Sequence, residues 1–407
     1  MRMGAGMKGL GPTGLFVTLL IIVAMGVASS SAQMEVTAVD ERQTAIALEQ
    51  AGKSTEAEAT WRAFLKSQPA SAEAYAHLGL LEARQEHYQK AIPLYRKALS
   101  LDPAMPGLRM NLGLALFKSG ELKPAIETFN LLLKTQEASS SEAQRLRTLI
   151  GMADYGLRDF AAAVPYLKEA TADDPQNLPF RLMLAHSCLA SKQYQCVLDV
   201  YHEILTLNAE SAEADMLAGE ALDEMQDHAG AMQQFRAAVK ANPNEPNVHF
   251  GLGYLLWTQG QYQEAAHEFQ AELANVPDHV QAIVYLADTN IKMNHPDIAV
   301  PLLKKTIRLD QNVAMAHLDL GIVDGKNRNW SDALRELRLA AKLAPENVSV
   351  HWHLGKVYQA MGRTSEANAE FEKTKTLTKA ADDSVFRQIN KASVQSGHTE
   401  AFAPNGK

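Results

Sequence analysis

The chain is 407 residues long, 46% apolar, 21% charged and 7% aromatic, which allows two or three globular domains or one extended array. Sixteen prolines and 24 glycines are too few for a disordered or collagen-like chain. A net charge of −8 without any basic block argues against a nucleic-acid partner and predicts a soluble surface that favours cationic ones.

Residues 1–32 differ from the rest. "MRMGAGMK" carries Arg2 and Lys8, "LFVTLLIIVAMGVA" is apolar apart from Thr18, and "SSSAQ" follows. A basic start, a short apolar run and a small-residue site predict a signal peptide. Ser30 and Ala32 would occupy the small positions, with cleavage before Gln33. No cysteine follows the run, which argues against a lipid-modified exit, and fourteen apolar residues are short for a membrane span. The expectation is an exported chain, periplasmic or secreted. Were the segment left uncleaved, it would anchor the protein with Arg2 and Lys8 inside.

From residue 38 onward one unit recurs. "AEAYAHLGLLEARQEHYQKAIPLYRKALSLDPAM", residues 72–105, aligns with the chain again at steps of 34. Units begin at Ala38, Ala72, Pro106, Gln144, Leu178, Ala212, Pro246, Val280, Ala314 and Val348, with one longer step that absorbs the loop-like "EASSSE". Three columns hold the register. The eighth position is always Gly or Ala, from Ala45 and Gly79 to Gly321 and Gly355. The twentieth is alanine except for Val197, and the twenty-fourth is always large, as in Trp61, Tyr95, Phe129 and Phe269. Proline closes six units. Each unit predicts two amphipathic helices, which approach closely at the small positions and pack around the large one. The proline ends the second helix. A single pair cannot bury its own apolar faces, so neighbours must stack.

These columns resemble the tetratricopeptide repeat family over residues 38–381. The resemblance implies an all-α, right-handed solenoid of about ten helix-turn-helix repeats, with first helices lining a concave groove. Thr44-Ala45 stands where Leu-Gly is usual, which fits a terminal cap. Residues 382–407 are expected to form an end helix, starting at "DSVFRQI", and a disordered polar tail.

In the family, positions 2, 5, 9, 12 and 13 face the groove. Here they place Phe117, Tyr155, Phe250, Tyr254, Trp257, Ile291 and Trp352 there, with Leu182, Leu189, Leu318 and Ile322. Glu220, Asp223 and Glu224 form an acidic patch among them. Apolar residues at solvent-facing positions point to a binding surface, against the plainer reading that adjacent repeats bury some of them. The acidic trio is either a solvated helix face or a mark for Lys or Arg in a partner. Cys188 and Cys196, the sole cysteines, could staple a hairpin in an oxidising compartment, as in related repeats with this spacing, or serve as small core residues.

"HWHLG", residues 351–355, suggests a metal site, but His351 and His353 lie about 200° apart on a helix, whereas a helical zinc pair needs i,i+4 spacing. His351 instead shares the fourth repeat position with His249 and His317. "GLG" at Gly251–Gly253 follows no strand, and no phosphate loop or nucleophile elbow occurs. "NWS" at Asn329 and "NVS" at Asn347 match the glycosylation triplet. A chaperone-tail clamp is not expected, since Ala76 and Met110 occupy two of its positions. No enzyme chemistry, cofactor or metal is expected. The expected function is an exported scaffold or adaptor that takes a protein or peptide segment, basic or apolar, in its groove. The alternative is a polysaccharide-binding accessory of envelope export, because aromatic rings stack on sugars.

Overall fold

The computed structural model describes residues 40–207 and 210–395, with side chains through residue 381. The expected signal segment and the polar tail beyond residue 395 lie outside the described residues. Among the described residues every regular element is a helix, and none is long and apolar enough to cross a membrane. The chain divides after Lys192 into two compact units.

In the first unit the repeats supply the first helices α1 (40–50), α3 (Ala72–Arg84), α5 (Leu108–Lys118), α7 (Ser141–Gly156) and α9 (Leu178–Ala190). Their second helices are α2 (Ser54–Ser67), α4 (Tyr88–Leu101), α6 (Leu122–Leu133) and α8 (Phe160–Asp173). The second unit opens with α10 (Tyr194–Leu207), the second helix of the fifth repeat. Its later first helices are α11 (Ala212–Glu224), α13 (Val248–Thr258), α15 (Val280–Lys292), α17 (Ala314–Lys326) and α19 (Val348–Ala360). The second helices are α12 (His228–Ala241), α14 (Tyr262–Asn275), α16 (Pro296–Leu309), α18 (Trp330–Leu343) and α20 (Thr364–Gln395).

The termini of these helices follow from local chemistry. Ser71, Ser140, Asn177, Ser211 and Asn347 stand just before first helices, and each side chain accepts a hydrogen bond from a backbone N–H three residues on. Such caps satisfy donors that a helix leaves unpaired. The helices before Pro69, Pro103, Pro175, Pro243, Pro277 and Pro345 all end two residues upstream of the proline. Between the two helices of each repeat the chain turns through one left-handed residue at the fifteenth position. Gly52, Gly120, Gly260 and Gly362 stand there in four repeats. Asn294 and five longer side chains, Glu86, Arg158, Lys192, Gln226 and Arg328, hold it in the others.

The small and large columns meet inside each hairpin. A methyl added to Gly79 would stand 2.6 Å from the Tyr95 ring, and one on Gly113 would stand 2.5 Å from the Phe129 ring. The same clash would occur between Gly253 and Phe269, and between Gly355 and Phe371. Tyr95, Phe129 and Phe269 are fully buried, as are the alanines of the twentieth column. The eighth position is therefore small because the twenty-fourth side chain lies over it. Burying such a ring contributes about 1.5–3 kcal/mol per repeat.

First helices touch, α3 with α5 in the first unit and, in the second, α11 with α13, α13 with α15, α15 with α17 and α17 with α19. This is a closer approach than the second helices make to one another, which sets the first helices on the inner side of each unit.

Two details differ from expectation. The last second helix and the expected end helix are one continuous helix, α20, with no break at residue 382. Ile291, expected on the groove, is buried and packs with Leu303, Leu320 and Val323. It belongs to the core shared by α15, α16 and α17. Neither Cys188, buried in α9, nor Cys196 in α10 is a free thiol.

Candidate functional site: the inner face of the second unit

The inner helices of the second unit carry three kinds of surface in sequence: acid on α11, rings on α13 and α15, and lysine on α15, α17 and α19.

On α11, Glu220 and Glu224 are exposed and Asp223 is half-buried. These carboxylates are already engaged within the fold. Asp223 lies 2.7 Å from His228 Nδ1, and Glu224 Oε2 accepts from the Tyr194 hydroxyl at 3.0 Å. The acidic patch is thus partly committed to holding α10, α11 and α12 together.

The three aromatic residues of α13 do come together, around a fourth that the family's groove positions had left out. Tyr254 stacks on Trp257 at 6.0 Å. Tyr285 of α15 meets Tyr254 edge-on at 5.3 Å and Trp257 at 5.0 Å, and Phe250 lies 5.9 Å from it. Phe250 is half-buried and also faces the His279 ring at 5.0 Å. Aromatic pairs in these edge and offset geometries add about 0.5–1.5 kcal/mol each beyond area burial. Trp257 is pinned further, since its indole N–H donates to Asp288 Oδ2 at 2.7 Å. Tyr254 remains 36% exposed at the surface of this cluster.

Tyr285 occupies the sixth repeat position, which His77, Asp319 and His353 also occupy. A helix places positions 2, 6, 9 and 13 on one stripe, at steps of four, three and four. That stripe was the signal available for the sixth column. It carries two further groups of consequence. Asp288 and Asp319 are both buried, and Asp319 Oδ2 has no hydrogen-bond partner. Burial, with the Asp288 charge added, pushes the Asp319 carboxyl well above the usual carboxylate range. Burial also raises Asp288, against the pull of the Trp257 N–H and of Lys292, whose Nζ lies 3.9 Å away. His353 is held below its usual value by burial first and then by Lys326, Lys292 and Lys356.

His351 has a different task. Its Nδ1 lies 2.6 Å from Glu370, and its Nε2 lies 2.9 Å from the Pro345 carbonyl oxygen. His317 repeats the arrangement with Glu336 and the Gln311 carbonyl, and His249 makes the carboxylate contact with Glu268. In each case position 4 ties the first helix to position 23 of the second. Both ring nitrogens of His351 are therefore occupied in packing. Trp352, between the two histidines, is 47% exposed, with the Phe371 ring at 5.3 Å and Lys356 Nζ 5.8 Å above its own ring.

In the first unit Phe117 is half-buried against the core formed by α4 to α7, and Tyr155 packs edge-on against Phe160 at 5.6 Å.

Profiles of the tetratricopeptide repeat family match residues 42–106, 82–150, 155–196, 198–246, 216–280, 250–290 and 318–383. The chain belongs to the tetratricopeptide repeat family. Among curated tetratricopeptide-like relatives it is 22% identical over 305 residues to DnaJ protein P58IPK homolog A of Oryza sativa subsp. japonica, covering 71% of this chain and 59% of that one. It is 26% identical over 204 residues to BBSome complex member BBS4 of Bos taurus, covering 50% and 38%. The chain thus spans between 38% and 59% of these relatives' lengths. Among solved structures it is similar to that of the APC/C hetero-tetramer Cut9-Hcn1, at 13% identity and a TM-score of 0.44, covering 87% of this chain and 76% of that one. YrrB, described as a TPR protein with an unusual peptide-binding site, matches at 17% identity and a TM-score of 0.37, covering 44% and 91%.

Proposed function

We propose that this protein is an exported scaffold or adaptor that binds an extended or helical segment of a partner protein along the inner face of its second unit. The observation that carries this reading is the Phe250–Tyr254–Trp257–Tyr285 cluster, which holds Tyr254 partly exposed yet fixed by ring neighbours. A ring already immobilised loses little entropy on binding, and aromatic anchors dominate interface energies. Export rests on the composition of residues 1–32, and protein binding accords with the repeat family.

The test is a crosslinked pull-down from the native host, comparing wild type with Tyr254→Ala. Tyr254 is the better target because truncating Trp257 would strip a hydrogen bond from buried Asp288. Partners retained about tenfold less by the variant, at unchanged helicity, support the reading. An identical partner set and yield would refute it.

A further inference from the structure

Position 12 of the repeat holds Phe117, Tyr155, Leu189, Asp223, Trp257 and Ile291 in the repeats that begin at Pro106 through Val280. In the next repeat it holds Gly325. Nothing in the packing demands glycine there. The residue is the last but one of α17, and an added methyl would meet only Val357 Cγ2, at 3.7 Å, which is an ordinary contact. Glycine is less favourable than alanine in a helix, by up to about 1 kcal/mol. Gly325 lines a cavity of about 280 Å³. Its walls include Gly321 and Ile322 of α17, Trp330 of α18 and Val357 of α19. Lys326 and Lys356 also line it, together with His353. Both lysines are exposed, and the pKa of the His353 imidazole beside them is lowered by its burial first and then by the charges of Lys326, Lys292 and Lys356.

We propose that this cavity over Gly325 seats one apolar side chain of the partner segment, with an adjacent Asp or Glu of that segment held by Lys326 and Lys356. The proposal rests on the groove reading above and names the partner's chemistry. The segment pairs an apolar residue with a neighbouring acid, and it lies toward the α19 end of the same inner face as Tyr254. The apolar walls supply the burial, and the lysines select the neighbouring charge. His353, in the same wall, offers a further hydrogen-bonding group.

The experiment selects random dodecapeptides, displayed on phage without a free C-terminus, against the full-length protein. The selected peptides are then synthesised and measured by fluorescence anisotropy. Four variants are compared with wild type: Gly325→Leu, which fills the cavity, Gly325→Ala, Lys326→Glu/Lys356→Glu, and Tyr254→Ala. The expected peptides carry Leu, Met or Phe beside Asp or Glu. They should bind Gly325→Leu about tenfold or more weakly, bind Gly325→Ala nearly as wild type, and lose affinity with the charge reversal. Both glycine substitutions raise helix propensity, so lost binding by Gly325→Leu at unchanged helicity reads the cavity and not the fold. Peptides that bind Gly325→Leu as tightly as wild type but fail on Tyr254→Ala overturn the cavity proposal while the groove reading stands. Peptides indifferent to both variants, or no enrichment at all, overturn both.

Discussion

Gly79 and Gly325 are both glycines inside helices, and the same change to alanine should move stability in opposite directions. At Gly79 the new methyl would stand 2.6 Å from the Tyr95 ring, which is 1% exposed and has no room to retreat. Overpacking of this kind destabilises by about 1–3 kcal/mol, more than the roughly 1 kcal/mol gained in helix propensity. At Gly325 the propensity gain stands alone. Thermal melts followed by circular dichroism should show Gly79→Ala melting lower and Gly325→Ala melting higher than wild type. A rise for Gly79→Ala would mean that the eighth column is not a steric lock. The lock was legible in the sequence because a small residue and a large one recur at a fixed interval in every repeat. The sixth column was harder to read: the stripe it shares with positions 2, 9 and 13 pointed to it, but Tyr285, Asp319 and His353 share neither size nor charge. The contact of Tyr285 with both Tyr254 and Trp257 reveals the position as part of the face.

The left-handed turn residue is a property of the helix pair, and it too lends itself to paired substitutions. Gly260 has φ +74° with nothing near a would-be Cβ, so Gly260→Ala isolates the backbone strain. It should destabilise by about 1 kcal/mol. Arg328 adopts φ +64° with a full side chain, and Arg328→Gly should stabilise by up to roughly 1 kcal/mol. Urea denaturation midpoints that move the same way for both would show that side-chain contacts, not the turn, control this position. Sequence alone hid the column because Gly fills it in only four repeats, while Glu86, Arg158, Lys192 and Gln226 carry no turn signal. The expected end helix runs on from the last repeat in α20, because residues 374–395 contain neither glycine nor proline to stop a helix.

For the molecule as a whole, the repeat count and the all-α class were legible because each repeat restates the same constraints. The inner face was legible only in part. Family positions named Tyr254, Trp257 and Trp352, which keep ring neighbours and, for Tyr254 and Trp352, exposure, but also Ile291, which is buried in a core with Leu303, Leu320 and Val323. Export is decided at the other end of the chain. Mass spectrometry of the protein recovered from its native host should give a mature N-terminus at Gln33. A chain that retains Met1 and Arg2 would mean that the apolar segment is kept as an anchor, or that the protein never leaves the cytoplasm.

The small-to-large lock has a kinetic corollary. Gly79 closes on Tyr95, Gly113 on Phe129 and Gly253 on Phe269, each across sixteen residues of chain. Contacts of such short sequence separation are the ones that form fastest, because little loop entropy opposes them. Each hairpin can therefore close as soon as its own segment has left the ribosome, before the next repeat has been made. The order of synthesis can then serve as the order of assembly, with every completed hairpin offering a template for its successor.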